Sequence, residues 1–153
     1  MSKHWTILVC ILLMAYGCQN SSLYFEEVAV VGGEWREEDK KTFKLPVRNT
    51  DQNFTLYFII RNDNNYPFSN IYFFSELVSP QGDIVKDTLE YQMAFASGEW
   101  IGFGMGEIKQ NTMVYKENIA LKDTGIYQVK LQHAMRDSIL PGIVDVSLMV
   151  EKN

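Results

Sequence analysis

Cysteine and histidine are nearly absent from this chain. Its two cysteines, Cys10 and Cys18, both lie near the N-terminus, and His4 and His133 are its two histidines. Residues 19–153 therefore contain no thiol, which excludes a disulfide-stapled scaffold and a cysteine nucleophile there. A zinc site needs three or four close Cys, His or carboxylate ligands, and this composition does not supply such a cluster. A domain in this region must be stabilised by core packing alone.

Catalytic motifs are missing as well. The chain has no G-x-S-x-G motif, no Walker-type loop and no dinucleotide-binding fingerprint. His133 stands alone at the end of a strand pattern, where we expect a packed or surface side chain; a catalytic or metal role is the alternative. We therefore predict that the protein is not an enzyme and that it binds no cofactor and no metal.

Carboxylates are plentiful, but they are scattered along the predicted strands and turns. We interpret them as solvated charges on outward faces, and the alternative is a small glycosidase in which Glu90 is catalytic. A calcium ion at Asp63 or Asp83 is a further alternative that no pattern in the sequence supports. The carboxylates considered are Asp83, Asp87, Glu90, Glu99, Glu107 and Glu117.

The chain also lacks a basic surplus and an apolar run long enough to span a membrane. Its formal net charge of −5 argues against nucleic-acid binding. The N-terminal apolar run, Trp5 to Ala15, would form a helix about 16 Å long, roughly half of the ~30 Å hydrocarbon core of a bilayer. A short apolar stretch that follows Lys3 and ends in small residues is typical of an export signal.

Cys18 directly follows the sequence Ala-Tyr-Gly, and this arrangement resembles a bacterial lipobox, although Tyr16 stands where a small residue is usual. The resemblance implies a signal peptide over residues 1–17, a lipidated tether over 18–23 and a folded domain over 24–153. Cys18 would carry covalent acyl chains such as palmitate. Since one chain binds membranes only marginally and such lipoproteins carry more, the domain would stay at a membrane. The alternatives are a plain secretory signal and an uncleaved anchor.

The residue after Cys18 bears on the membrane that holds the protein. Gln19, rather than Asp, follows the cysteine, and the usual sorting rule for such lipoproteins then indicates the outer membrane. Residues 19–23 contain no acidic cluster of the kind that directs some lipoproteins to the cell surface. We therefore expect the domain to face the periplasm.

Short apolar segments separated by turn residues fill the rest of the chain. No window of eleven or more residues shows a convincing 3.6-residue period. Seven or eight segments rich in Phe and Tyr, spaced by about ten residues, predict an all-β fold with a single antiparallel β-sandwich, immunoglobulin-like or jelly-roll-like. The predicted strands are 23–31, 42–47, 54–61, 71–78, 84–92, 112–121, 125–135 and 143–151.

Proline, glycine and other turn residues refine this prediction. Pro46 cannot donate to a β-ladder, so its strand is predicted to lie at a sheet edge. Pro80 to Asp83 is predicted to be a hairpin turn. Residues 34–41 are interpreted as a charged loop, and residues 93–106 as a long ordered loop whose glycines supply positive φ.

The segment Asp123 to Tyr127 (D-T-G-I-Y) is a more specific signal. A D-x-G-x-Y sequence before a strand is typical of the tyrosine corner of immunoglobulin-like sandwiches, in which the tyrosine hydroxyl bonds to nearby backbone. Val129 would then point into the core. This feature concerns folding and predicts no catalytic role.

Three large aromatic residues, Trp35, Tyr66 and Trp100, are predicted to lie in loops. Aromatic side chains in loops can anchor a protein partner, stack on a sugar, or cap the open end of a sandwich core. All three roles are open from the residues alone. We keep these positions as candidate partner contacts.

Five further segments of the middle and C-terminal part are distinctive. They are Asn65–Asn70 (N-Y-P-F-S-N), Asp87–Tyr91 (D-T-L-E-Y), Ser97–Gly102 (S-G-E-W-I-G), Tyr115–Asn118 (Y-K-E-N) and Gln132–Arg136 (Q-H-A-M-R). In order and approximate spacing they resemble the gliding-motility lipoprotein family known as GldH. The resemblance covers roughly Tyr24 to Val150, and the Cys18 lipobox fits it. It implies a non-enzymatic envelope lipoprotein that acts with the gliding and secretion machinery and has no catalytic residues. A carbohydrate-binding envelope lipoprotein is the alternative.

Overall fold

The computed structural model describes residues 24–29 and 31–153. The predicted signal peptide and tether, with Cys18, lie outside the described residues. Within the described part the chain forms ten strands and one three-residue 3-10 turn, Val31–Gly33. The strands are β1 (Tyr24–Ala29), β2 (Glu34–Arg36), β3 (Lys41–Val47), β4 (Asn53–Asn62), β5 (Asn70–Val78), β6 (Ile84–Gln92), β7 (Lys109–Ala120), β8 (Gly125–His133), β9 (Ile139–Pro141) and β10 (Ile143–Lys152).

The strands form two four-stranded antiparallel sheets that pack as a sandwich. One sheet has the order β1-β10-β4-β7 and the other has the order β3-β8-β5-β6, while β2 and β9 form a separate two-stranded ribbon. The prediction of an all-β antiparallel sandwich is confirmed. β3 lies at a sheet edge, as Pro46 indicated, and Gly82 adopts φ 95° in the predicted hairpin turn between β5 and β6.

Alternation of buried and exposed residues places the core between the two sheets. β3 alternates strictly, with Phe43, Leu45 and Val47 buried and the residues between them exposed. Phe58 of β4 contacts Phe73 of β5 across the sandwich, with ring centroids 6.4 Å apart. Because side chains alternate between the two faces of a strand, each sheet has one apolar face, and the two apolar faces pack against each other to form the core.

Side chains close the side of the sandwich where β1 and β3 face each other. The Glu26 carboxylate accepts a hydrogen bond from the Lys44 backbone N–H at 2.8 Å, and the Tyr24 hydroxyl donates to the Lys44 carbonyl. These contacts satisfy backbone groups that point away from β8 at an edge strand. An edge whose N–H and C=O groups are occupied is protected from pairing with another chain.

The two ends of the sandwich differ in what they carry. At one end β1 begins at Tyr24, opposite Val150 near the end of β10. The loops 48–52, 79–83 and 121–124 lie at this end, which we call the tether end because residues 18–23 lead into it. The loops 63–69, 93–108 and 134–138 lie at the opposite, far end. Because β4 spans ten residues, the ends are roughly 30 Å apart.

The predicted tyrosine corner is present at the tether end. The Tyr127 hydroxyl accepts a hydrogen bond from the Asp123 backbone N–H at 3.1 Å, and the Tyr127 ring is buried. Val129, two residues later, is fully buried, as expected. The corner thus joins the 121–124 loop to β8.

We expect Tyr127→Phe to lower the free energy of unfolding by about 1 kcal/mol, because the half-buried Asp123 N–H loses its acceptor. Urea unfolding of the purified chain measures this difference. Tyr57→Phe is the matched control: its hydroxyl lies 3.3 Å from Glu151 at the half-buried surface, and we expect a change below about 0.5 kcal/mol. Equal losses in both variants would contradict a structural role specific to the corner.

Candidate functional site

Trp35 is a core residue, so its interpretation as a loop aromatic that contacts a partner was wrong. It lies on β2 and is fully buried, and its indole N–H donates to the Asp39 carbonyl at 2.8 Å. Its ring packs against Phe73 and, edge to face, against His133 at 5.4 Å. The predicted charged loop over residues 34–41 therefore contains a short strand that inserts a large aromatic ring into the core.

Tyr66 is also buried, although it lies in the loop 63–69 at the far end of the sandwich. Its hydroxyl donates to the Asn70 carbonyl at 2.7 Å, and burial raises the pKa of that hydroxyl well above its usual value. Gly142 lies against it: a Cβ at Gly142 would stand 2.2 Å from the Tyr66 nitrogen. Of the roles considered for it, capping the core is the one that matches this position, and direct contact with a partner does not.

Trp100 is half-buried and rests on Tyr66, with ring centroids 6.2 Å apart. Its indole N–H lies 3.4 Å from the Asn64 side-chain oxygen. The structure therefore brings Trp100 and Tyr66 together at the far end, where Trp100 forms the base of the loop between β6 and β7.

This loop, residues 93–108, is the candidate interaction surface, and we call it the far-end loop. Its base is ordered: Met93 and Ala94 are buried, and the Ile101 N–H donates to the Met93 carbonyl at 2.9 Å. Beyond that base, four large apolar side chains face solvent. They are Phe95 (51% exposed), Phe103 (87%), Met105 (100%) and Ile108 (42%).

Glycines shape the far-end loop in two ways. Gly98 and Gly106 have positive φ, as the sequence predicted for this loop. Gly104 serves close approach instead, because a Cβ there would stand 2.2 Å from the Ile108 carbonyl oxygen. The backbone at Gly104 therefore passes too close to Ile108 for any side chain at this position.

Trp100, the glycines and the carboxylates of this loop were recognised as candidates from the sequence, but the exposed apolar residues were not. Their signal was available: Phe103 and Met105 alternate with glycines in a stretch that has no strand or helix period. Apolar side chains that no element can bury are candidates for a binding surface.

Two of the carboxylates considered in the sequence, Glu90 and Asp63, make local hydrogen bonds in the structure. Hydrogen bonds from Tyr72 and then from Asn70 lower the pKa of Glu90, whereas a glycosidase general acid needs a raised pKa. No three His, Cys, Asp or Glu side chains of residues 24–29 and 31–153 come together as metal ligands. At the proposed calcium position Asp63, the carboxylate instead accepts the Asn65 N–H at 2.8 Å.

His133 is fully buried at the end of β8, and neither of its ring nitrogens reaches a hydrogen-bond partner among the described residues. Burial lowers the pKa of His133, and the Trp35 backbone and the carboxylates of Glu37 and Glu38 oppose this only in part. The imidazole is therefore packed in its neutral form against Trp35, which matches the expectation of a packed side chain.

Comparison with known proteins gives the family. A family model described as "GldH lipoprotein" matches residues 22–150. A protein of Christiangramia forsetii named "Gliding motility lipoprotein GldH homolog" is 34% identical over 154 residues, which cover 96% of this chain and 94% of the relative. "Gliding motility lipoprotein GldH" of Flavobacterium johnsoniae is 34% identical over 157 residues, covering 98% and 97%. This chain belongs to the GldH lipoprotein family.

Solved structures resemble this GldH-family chain only weakly. The infectious bursal disease virus VP2 subviral particle matches with 8% identity and a TM-score of 0.43, covering 88% of this chain and 34% of that one. Dimeric latent PorU of Porphyromonas gingivalis matches with 11% identity and a TM-score of 0.36, covering 90% and 14%. The chain spans about a third or less of these structures, and similarities this low carry no argument.

Family membership confirms the resemblance seen in the sequence. The chain is a gliding-motility lipoprotein, and so a lipid-anchored protein of the cell envelope. The described residues include no helix with the length and hydropathy of a membrane span. Lipidation at Cys18 stays a prediction.

We expect the stability of the GldH-family chain to fall as the pH is lowered from about 7.5 to 5.5. Because the folded-state pKa of His133 is lowered, the unfolded chain binds a proton below about pH 6.5 that the folded chain does not yet bind. Unfolding free energies at a series of pH values measure this slope. In His133→Leu the slope should flatten, and an unchanged slope would contradict the assignment to His133.

Proposed function

We propose that this chain is a non-enzymatic interaction module of the gliding and secretion machinery. Acyl chains on Cys18 hold it at the periplasmic face of the outer membrane. From there it docks an envelope protein through the far-end loop. The observation that carries the proposal is the group of four exposed apolar side chains on this one loop, above all Phe103 and Met105.

The position of the loop favours a protein partner over the anchoring membrane. Residues 18–23 extend over at most about 20 Å and enter the domain at Tyr24, at the tether end. The far-end loop lies at the opposite end, roughly 30 Å further away. An upright domain therefore presents Phe103 and Met105 away from the leaflet that holds the lipid.

The charge of the loop also favours a protein partner. Glu99 and Glu107 flank the apolar side chains and are exposed. Acidic residues are repelled by anionic lipid headgroups, so this surface is poorly suited to a bilayer. A protein pocket with an apolar floor and basic residues at its rim complements it.

The carbohydrate-binding alternative is weakened by the burial of Trp35 and Tyr66, two of the three aromatic residues considered for sugar stacking. Sugar stacking needs an open aromatic face, and Trp35 is fully buried. The Trp100 ring is half-buried against Tyr66. The aromatic residues of the described structure therefore favour a protein partner over a sugar.

The docking proposal is tested with Phe103→Ser combined with Met105→Ser in the full-length lipidated chain. Cross-linking in intact cells, followed by mass spectrometry, measures the recovery of gliding and secretion proteins. We expect recovery to fall at least tenfold, because the two exposed apolar anchors are removed. Phe74→Ser is the control, since Phe74 is 50% exposed on the outer face of a sheet and away from the loop. Recovery equal to the wild type in the double variant would refute docking through this loop.

Anchoring is tested by Cys18→Ser. Cells fed labelled palmitate should no longer label this variant, and residues 1–17 should stay attached, because the acylated cysteine is the expected cleavage point. Cys10→Ser is the matched control and should be labelled and processed like the wild type. Label that persists in Cys18→Ser would show that another residue carries the lipid.

A further inference from the structure

The outer edge of β7 is incompletely paired beside the far-end loop. β7 is the last strand of its sheet in the described chain. At Gln110 that edge is occupied: the Phe103 N–H donates to the Gln110 carbonyl at 2.9 Å, and the Gln110 N–H donates to the Phe103 carbonyl at 2.7 Å. The backbone groups of Gln110 therefore point away from β4 and toward the loop.

In an antiparallel ladder the backbone N–H and C=O groups of every second residue point to the same side, so those of Thr112 and Val114 also point away from β4. The Val114 carbonyl is occupied, because the Tyr91 hydroxyl of β6 donates to it at 2.7 Å. Thr112 lies between these two contacts. The loop leaves the edge before reaching it, since the Ile101 N–H is bonded to the Met93 carbonyl. The Thr112 N–H and C=O thus face outward without a backbone partner in the described chain.

A groove of about 340 Å³ runs along this open edge. Its lining includes the apolar residues Tyr91, Ile101, Phe103 and Met113, together with Thr112. An N–H and a C=O group presented side by side along a strand edge are matched by the backbone of another extended chain. Apolar walls beside the edge then accept the side chains of that segment.

We propose that this edge accepts an extended segment of the partner protein, which adds as a short β-strand antiparallel or parallel to β7 at Thr112. This inference deepens the proposed function and rests on it. The Phe103 backbone already pairs with Gln110 as a one-residue strand, so the added segment continues a ladder that the far-end loop begins. Phe103 contributes twice: its backbone defines the start of the acceptor edge, and its side chain contacts the partner.

A second copy of this chain fits the edge less well than a separate segment. Two copies paired antiparallel about Thr112 would place Gln110 of each copy opposite Val114 of the other. The Phe103 segment already bonded to Gln110 would then meet the edge of the other copy. A single extended segment enters the short opening between Phe103 and Tyr91 without this overlap.

Thr112→Pro in the full-length lipidated chain tests the proposal, because proline removes the outward N–H and leaves the ladder to β4 intact. The fold already contains a proline in an equivalent place. Pro46 lies on the edge strand β3, and its nitrogen faces outward, as the N–H of Lys44 does. Thr42→Pro on β3 is the matched control: the same substitution on an outward position of another edge. Thr112→Val is the second control, since it changes the side chain and keeps the N–H.

We expect Thr112→Pro to lower the cross-linked recovery of gliding and secretion proteins about tenfold, which corresponds to the loss of one or two backbone hydrogen bonds. Thr42→Pro and Thr112→Val should recover these proteins like the wild type. Equal loss in Thr42→Pro would overturn the assignment to the β7 edge. Wild-type recovery in Thr112→Pro, with loss in the Phe103 and Met105 double variant, would overturn strand addition and leave docking standing. Wild-type recovery in both would overturn both proposals.

Hydrogen exchange provides a measurement that does not depend on a proline variant that folds. The amides of Thr112 and Val114 should exchange at least tenfold more slowly in the cross-linked wild-type complex than in the purified chain. Unchanged exchange at both would overturn the proposal. Sedimentation of the purified chain measures whether it forms a dimer. A dimer that Thr112→Pro abolishes would assign the edge to a second copy of this chain and overturn the assignment to a partner protein.

Discussion

Apolar packing between the two four-stranded sheets holds this domain together. Residues 19–153 contain no cysteine, so no disulfide can hold the sheets together. Their association relies on apolar side chains such as Phe58, which contacts Phe73 across the core and stacks on Tyr115 at 4.7 Å. Burial of each such side chain contributes about 1.5–3 kcal/mol, set against the conformational entropy of the ordered chain. Trp35 extends this core to the far end.

The two ends of the sandwich carry different features. The tether end is where β1 begins at Tyr24, and the far end carries the loop 93–108 with its exposed apolar side chains. Edge strands are protected at one side by Glu26 and Tyr24, which occupy the backbone of Lys44. At the other side Tyr91 occupies the Val114 carbonyl, and the backbone groups of Thr112 have no backbone partner in the described chain. The proposed strand addition uses the β7 edge because the groove and the exposed Phe103 lie beside Thr112.

Much of the fold could be predicted because period-two alternation is a local property. The pattern of β3, the hairpin turn with Gly82 and the D-x-G-x-Y corner each lie within a few consecutive residues. β2 escaped prediction because a three-residue strand shows too little alternation, and because charged residues surround Trp35. Tyr66 was placed correctly in a loop, but its burial depends on Gly142 and Trp100, which are distant in the sequence.

Local signals along the chain specified the all-β class, the antiparallel sandwich, the tyrosine corner and the family, because each is recorded in short motifs or in alternation along single strands. The exposure of the aromatic residues, in contrast, was set by packing between distant segments. Whether Trp35, Trp100 or Phe103 reaches solvent depends on the strands and loops that pack around it from elsewhere in the chain. The open backbone of Thr112 was decided in the same way, since the loop that could have covered it is held by Met93 instead. Burial and edge pairing depend on contacts between segments that are distant in the sequence, so the pattern within one segment does not predict them.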